Sequence, residues 1–346
     1  MSQLSIILVS YNSRADLGES LPSLLSQADD DVEVLVVDNQ SADGTVSWLK
    51  HAYPSVRVLC LPENRGYGQA ANAGIRGSVS EWVMVSNADT RFQPGALRRL
   101  LDAARRYPNA LLTPKLVLPD GRINALGNVM HLGGITSCWH YGDAGDRFQG
   151  IIPVPLLSGA VILARRDTWL TLGGFDPRIF LYMEDAELSL RARLLGFDLY
   201  AVADAVVVHD YHLHLTPQKF QWLEQHRRWT LLKLYSALTL WRLWPALFLT
   251  ELLTWGFAIT KGPGYLKARF NADGWLISHL PELWRAHRKF QRQKRLNDEV
   301  VLTWLTQELP WGQLTTSRFV VELGGLLCRL TGLGIGAKMA DLKERL

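Results

Sequence analysis

The sequence predicts an α/β fold: a mostly parallel central sheet covered by helices on both faces, followed by an α-helical C-terminal region. Three observations predict it. Short, continuously apolar runs alternate with helix-length stretches through the first two hundred residues, as strands buried on both faces do. From Pro217 onward the pattern turns helical, with breaks at Gly262-Pro263-Gly264 and around Pro310. Charge divides at the same place. Residues 1–215 carry 18 Lys+Arg against 23 Asp+Glu, a net of −5, whereas residues 216–346 carry 19 against 10, a net of +9. The same cut divides the tryptophans 4 to 9, so an acidic front and a basic, Trp-rich back imply two regions with different partners. The expected domains are 1–236 and 237–346.

The bulk numbers agree. At 346 residues, 48% hydrophobic and 20% charged, the chain has material for one large or two ordinary packed domains. Cys60, Cys138 and Cys328 are far apart and form no Cys-x-x-Cys pair, which leaves no disulfide or metal framework and fits a reducing compartment. The start "MSQLSIILVSYNS" lacks the basic flank and cleavage site of a signal peptide; it reads as the first strand of a cytosolic domain.

In order, the expected strands are "LSIILVS" (4–10), "VEVLVVD" (32–38), "VRVLCL" (56–61) and "EWVMVS" (81–86). The crossover helices fall in "ADLGESLPSLLSQA", "ADGTVSWLKHA" and "GQAANAGIRG". "LPDGRINALGNVMHLGG" carries the Asp-Gly and Gly-Gly punctuation of hairpins. "LLSGAVILARR" (156–166) is a strand that leads into a short helix ending near Gly173-Gly174, and "FDLYAVADAVVVHD" (197–210) returns to β character.

Ligands of such sheets bind at the carboxyl ends of the strands. The first strand ends in "SYNS", the second in "VDNQSADGT" and the fourth in "SNADT". Asp, Asn and Ser also cap helices, so each end alone has an ordinary reading; three together point to a ligand site. "ENRGYGQAANAG" (63–74) has the wrong glycine spacing for a dinucleotide fingerprint. It suits a loop that brings backbone N–H groups and Arg65 towards a diphosphate. "FLYMEDAELSLRARLLGF" (180–197) runs an apolar stretch straight into Glu184 and Asp185. Read alone it is an amphipathic helix with acidic residues at its positive end.

Together "SIILVSYN", "VLVVDNQSADGT", "ENRGYGQAANAGI", "SNAD", "LSGAVILARR", "GGFDPRIFLYMEDAELSLR" and "VVHDYH" resemble, in order, the motifs of the family 2 glycosyltransferases, over roughly residues 4–235. The chain is most similar to the rhamnosyltransferase-type enzymes of bacterial surface polysaccharide synthesis. The resemblance implies the GT-A fold, a Rossmann-like variant of the sheet above. It implies inverting transfer from a pyrimidine nucleotide-sugar, dTDP-rhamnose among the choices, to a glycan or a polyprenyl-linked sugar.

Roles follow by position. Asp38 would accept from the pyrimidine ring N–H, with Asn39 and Ser41 beside it. Tyr11 and Asn12 would line the nucleotide pocket, and Asn64, Arg65 and Asn72 would border the phosphates and sugar. "SNAD" takes the place of the family's Asp-x-Asp motif, with Asp89 as its last carboxylate and Asn87 in place of the first aspartate. Mg²⁺ or Mn²⁺ would bind at Asp89 with donor phosphate oxygens and water, and His209 matches a histidine that can complete the metal site. Of the acidic pair, Asp185 would be the general base, with Glu184 the alternative. A non-catalytic, glycan-binding or scaffold protein of the same fold is the rival that Asn87 favours. A sugar nucleotidyltransferase would need a glycine-rich, Arg-bearing loop after the first strand, and "SYNSRADL" is not one.

The back region adds a partner. Residues 238–260 approach membrane-span length but contain Arg242, Pro245 and Glu251, which favours an interfacial helix over a span or a buried pair. Residues 261–295 carry nine Lys or Arg against two acids, interleaved with Trp, Phe and Leu, a pattern suited to an anionic lipid surface. No nucleic-acid fold is recognisable. The expectation is a cytoplasmic enzyme peripheral to the inner face of the cell membrane. The C-terminal helices suit a homodimer as well as a monomer.

Overall fold

The computed structural model describes residues 3–211 and 214–306; Cys328 and the break expected around Pro310 lie outside the described residues. The chain divides into two compact units. Residues 1–128, 138–189 and 197–212 form the first, and residues 129–137, 190–196 and 213–346 the second.

The first unit is built on β1 (Leu4–Ser10), α1 (Arg14–Leu25), β2 (Val32–Asp38), α2 (Thr45–Ala52), β3 (Arg57–Cys60), α3 (Tyr67–Gly77) and β4 (Trp82–Asn87). There follow β5 (Thr90–Phe92), α4 (Ala96–Arg106), β6 (Ala110–Val117), β7 (Ile123–Ala125) and, after β8 (Asn128–Met130) and β9 (Thr136–Cys138), which fall mostly within the second unit, β10 (Ile151–Pro153). Then come β11 (Val161–Arg165), α5 (Arg166–Leu172), α6 (Glu184–Leu194), whose residues from 190 belong to the second unit, and β12 (Asp198–His209).

The main sheet has the order β10-β12-β6-β11-β4-β1-β2-β3. Strands β3, β2, β1 and β4 are mutually parallel. β11 is antiparallel to both its neighbours, and β6 and β12 therefore run with β1 again. The sheet is mostly parallel, as expected, and one reversed strand lies inside it.

Every residue of β1 is buried, because alternate side chains serve opposite faces. Leu4, Ile6 and Leu8 share a core with Leu17 and Leu21 of α1 and Leu100 of α4. On the other face Gly74 of α3 approaches so closely that an added Cβ would lie 2.5 Å from Ile7 Cγ2. The helix can therefore press on the sheet only with glycine there. Register aligns the carboxyl ends: Ser10 pairs with Asp38, and Val9 with Asn87.

The second unit is dominated by α7 (Pro217–Leu234), α8 (Ala237–Lys261), α9 (Pro263–Ser278), α10 (Leu280–Gln293) and α11 (Glu299–Leu302). Thr216 caps α7 through the Lys219 N–H, and Ser236 caps α8 through the Thr239 N–H. The break expected at Gly262-Pro263 separates α8 from α9, with Gly262 at φ +103° and Pro263 opening the next helix, the positions where glycine and proline fit a helix junction. Pro245 does not break α8, which runs on through it.

Candidate functional site

The expected site residues gather at one edge of the main sheet. Asp38 ends β2, Asn87 ends β4 with Asp89 just beyond, and His209 ends β12, all strands of one direction. Among the described residues, four of the five non-glycine residues at positive φ also lie at this edge or in the segment leading to α6: Asn12 (52°), Gln40 (69°), Tyr182 (64°) and Met183 (71°). Such conformations cost about 1–3 kcal/mol each and concentrate at functional sites. Here they turn the chain sharply after a strand or before α6.

At the end of β2, Asp38 is buried. Its Oδ2 accepts the Ser41 N–H at 3.0 Å, while Oδ1 is buried without a partner. That leaves one acceptor aimed for a donor from outside. Asn12 bridges the neighbouring loop: its N–H donates to Ser41 Oγ, and its Oδ1 accepts the Ala42 N–H. Tyr11 stands beside it, 51% exposed, a ring surface open to a planar ligand.

Asn39 wires this edge to the glycine-rich loop. It accepts the Arg65 N–H and donates to Asn64 Oδ1 and the Gly66 carbonyl. Gly66, at φ +82°, lies so near Phe180 that a Cβ would be 2.1 Å from its carbonyl oxygen, and the Tyr67 N–H donates to that oxygen. The Arg65 side chain pairs with Glu63 at the surface. Asn72 stands further in. Its amide grips the Phe175 backbone from both sides, accepting from the N–H at 2.8 Å and donating to the carbonyl at 2.9 Å. It thereby fixes the Gly173-Gly174-Phe175 turn that precedes the acidic helix.

The two residues expected to hold a metal meet as a pair. His209 Nδ1 lies 3.3 Å from Asn124 Oδ1, and Nε2 faces Asp89 Oδ1 at 3.4 Å. Both facing atoms are buried without hydrogen-bond partners, and a divalent cation between carboxylate and imidazole would pair both. Burial pushes the Asp89 carboxyl up, but His209 and the Asn87 side chain outweigh it and hold the group below the usual carboxylate range. No cluster of three or more His, Cys, Asp or Glu occurs among the described residues. The donor set thus fits a hard divalent ion that takes one carboxylate, one imidazole and the remaining ligands from phosphate and water.

Glu184 and Asp185 open α6. Asp185 Oδ2 accepts the Gly159 N–H and the Asn128 side-chain amide, both at 3.0 Å. Its Oδ1 accepts the Ala186 N–H at 2.7 Å. These donors favour the ionised form. Glu184 Oε2 is buried with no partner. Burial raises both carboxyls, and Asp185 raises Glu184 further. Coupled carboxyls share their protons as a pair. The donors around Asp185 and the bare Oε2 of Glu184 place the charge on Asp185 and the proton on Glu184. Gly159 is needed for this, since a Cβ there would lie 3.0 Å from Asp185 Cβ. Tyr67 Oη donates to the Gly159 carbonyl at 3.0 Å, tying the glycine-rich loop to the same point.

Sequence reasoning passed over Asn124, Asn128 and Gly159. The first two sit in a segment punctuated as hairpins, and nothing local marks them. Gly159 lies inside the quoted motif "LSGAVILARR", the one signal available.

The geometry has counterparts in known proteins. Residues 5–159 match the family model described as Glycosyl transferase family 2. Over 231 residues the chain is 35% identical to an N-acetylglucosaminyl-diphospho-decaprenol L-rhamnosyltransferase of Mycobacterium tuberculosis, covering 60% of this chain and 75% of that one. Among solved structures it resembles GalNAc-T7 with UDP, GalNAc and Mn²⁺ (TM-score 0.59, 13% identity, 83% of this chain and 58% of that one). It also resembles S. aureus TarS (TM-score 0.53, 17% identity, 96% and 55%). At those identities the structures speak to the fold, which is GT-A.

Proposed function

The chain belongs to glycosyl transferase family 2, and on that premise we propose that it is an inverting, metal-assisted hexosyltransferase that uses a pyrimidine nucleotide-sugar. By its likeness to the mycobacterial enzyme, we assign it a rhamnose-type donor and a polyprenyl-diphosphate-linked sugar as acceptor. It would act in surface polysaccharide synthesis, from the cytoplasmic face of the cell membrane.

The observation that carries the reading is the row of buried polar atoms without hydrogen-bond partners at one sheet edge: Asp38 Oδ1, Asp89 Oδ1 and His209 Nε2. Buried polar atoms are normally satisfied, so a row of them marks places for a ligand's own groups. Asp38 Oδ1 takes the pyrimidine N–H, with Ser41 holding the other carboxylate oxygen in place. Asn39 and Asn64 hold the loop whose backbone N–H groups and Arg65 border the diphosphate; Arg65 exchanges Glu63 for it. Asp89 and His209 would hold a divalent ion, which would supply charge neutralisation for the departing diphosphate.

Asp185 accepts the proton of the acceptor hydroxyl. The freed oxygen forms its bond to the anomeric carbon as the carbon–oxygen bond to the diphosphate breaks, and configuration inverts. Glu184 stays protonated, which spares Asp185 a second charge beside it. The turn at Tyr182 and Met183 is why an apolar run enters an acidic helix. It seats Met183 in the core while the two carboxyls come to the sheet edge.

Calorimetric binding of UDP, TDP and GDP, each with and without Mn²⁺, tests the donor site. Metal-dependent binding of a pyrimidine diphosphate is expected, weakened by Asp89→Asn. No binding by folded protein would overturn the reading in favour of a non-catalytic GT-A protein.

A further inference from the structure

We propose that the outward face of α8, continued by α9 and α10, is a docking surface for an anionic lipid bilayer, with α8 lying in the plane of the interface. This deepens the membrane side of the function proposed above and rests on it for its biological setting.

Helix α8 has two apolar faces. Leu243, Ala246, Thr250, Thr254 and Ala258 are buried on one. On the other, Trp241 (71%), Trp244 (53%), Phe248 (57%), Leu252 (55%) and Ile259 (64%) are exposed. Their spacing of three, four, four and seven keeps them in one stripe at 3.6 residues per turn. The one charged residue between Trp244 and Ile259 is Glu251, which lies at the edge of the stripe and is paired with Arg227 and Arg269. The stripe does not stop at the helix. Trp255 meets Phe270 of α9 edge to face, centroids 4.9 Å apart. The exposed Phe270, Ile277, Leu280 and Trp284 carry the apolar surface along α9 into α10. Soluble proteins seldom leave a surface of that extent bare.

Charge identifies the occupant. Beyond Trp284 the outer face of α10 becomes basic: Arg285, Arg288, Lys289 and Arg292 line one open groove with that tryptophan. The Arg288 guanidinium lies 4.5 Å from the Trp284 ring centroid. Arg288, Lys289 and Arg292 have no acidic partner among the described residues, whereas the buried Arg227 and Arg269 are both paired. Apolar and aromatic side chains that end in unpaired cations match acyl chains bounded by anionic headgroups. A nucleic acid would use the cations and leave the tryptophans bare.

The same structure argues against a span. At 25 residues α8 is long enough, with a mean hydropathy of 1.3 over its best window. However, Glu251 lies mid-helix, held by Arg227 of α7 at 2.7 Å and by Arg269 of α9. Crossing the bilayer would strip α8 from these partners and leave Glu251 in lipid.

Sedimentation of the full chain with vesicles tests this, using phosphatidylcholine alone and phosphatidylcholine with phosphatidylglycerol. Wild type is expected to bind the anionic vesicles and to weaken with salt. Reversing Arg288, Lys289 and Arg292 to Glu should lower that affinity by about 100-fold. Changing Trp241, Trp244 and Phe248 to Ser should abolish stable binding. Both variants should keep wild-type affinity for a pyrimidine diphosphate, which shows that they are folded. Binding unchanged by both variants overturns the proposal. So does resistance to extraction by alkaline carbonate, which marks a span, or a dimer that binds no vesicles and dissociates in the Ser variant. Absence of nucleotide binding in wild type would instead strike the donor site and leave the vesicle result to stand alone.

Discussion

Two groups of buried acids, one in each compact unit, are built from the same residue types and treated in opposite ways. In the helical unit Glu224 accepts two hydrogen bonds from Arg227, at 3.1 and 2.8 Å. Glu251 is shared by Arg227 and Arg269, and Asp273 by Arg228 and Arg269. Burial pushes Glu224 up, yet the arginines overcome it and hold it below the ordinary range. In the sheet unit Glu184 and Asp185 have no such cation among the described residues; burial raises both, and Asp185 raises Glu184 further. Balanced charge makes a scaffold. Unbalanced charge keeps a proton poised for transfer.

The largest expected effect would break the comparison at its catalytic end. Asp185→Asn removes the proposed base and should lower kcat by about 10²–10⁴-fold, while calorimetric affinity for the nucleoside diphosphate stays within about two-fold. Retained turnover would move the base to Glu184 and leave the hydrogen-bond argument without its consequence.

Arg227→Met attacks the other end. It leaves Glu224 and Glu251 short of a cation inside the protein, and removing one partner of a buried pair costs about 3–5 kcal/mol. Urea denaturation should register that loss with the slope unchanged. Nucleotide affinity, measured where the variant is folded, should not move. A stability close to wild type would mean that the cluster is not balanced as its geometry indicates.

Glu184→Gln sharpens the contrast through pH. The folded-state value of Glu184 is raised to about 8 from 4.5, so between those values the native state holds a proton that the unfolded chain has released. Stability contributed by this site is therefore full below about pH 4.5 and declines as pH rises towards 8. The glutamine does not titrate. Its advantage in unfolding free energy should be near zero at pH 4.5 and grow steadily, reaching about 1–3 kcal/mol by neutral pH. An advantage flat with pH would show that Glu184 is not the proton holder of the pair.

How much of this could be read from the sequence follows the same division. Strands such as "LSIILVS" were legible because burial on both faces leaves no polar residue to hide the pattern. Asp38 and Asp89 stood out because a parallel sheet places its ligand site where strands end, whereas His209 stood out only through the family resemblance. The reversed β11 was not, since an apolar run carries no direction. Asn72 reads as a ligand residue but spends its amide on the Phe175 backbone, 103 positions away in pairing. The handedness at Tyr182 and Met183 was hidden too, because neither is a residue that invites positive φ. Glu251 read as an interruption of an apolar helix and nothing local marked Arg227; only packing brings them together.

Asn128 carries the smallest and most specific expectation. It lies 57 positions from Asp185 and donates to its Oδ2 at 3.0 Å, with a second contact to the Leu157 carbonyl at 3.3 Å. A hydrogen bond to a charged group is worth about 1.5–3 kcal/mol, but the Gly159 and Ala186 N–H groups remain when Asn128 is truncated. Asn128→Ala should therefore raise the Asp185 carboxyl further. Because the proposed base must be ionised to act, the acidic limb of the kcat/KM profile should move up while the plateau stays within a few-fold. Asn128→Ser, which can restore a donor, should return part of the shift. A uniform loss across pH, without movement of the limb, would make Asn128 a packing residue of β8. The donors around Asp185 would then owe their effect to the backbone alone.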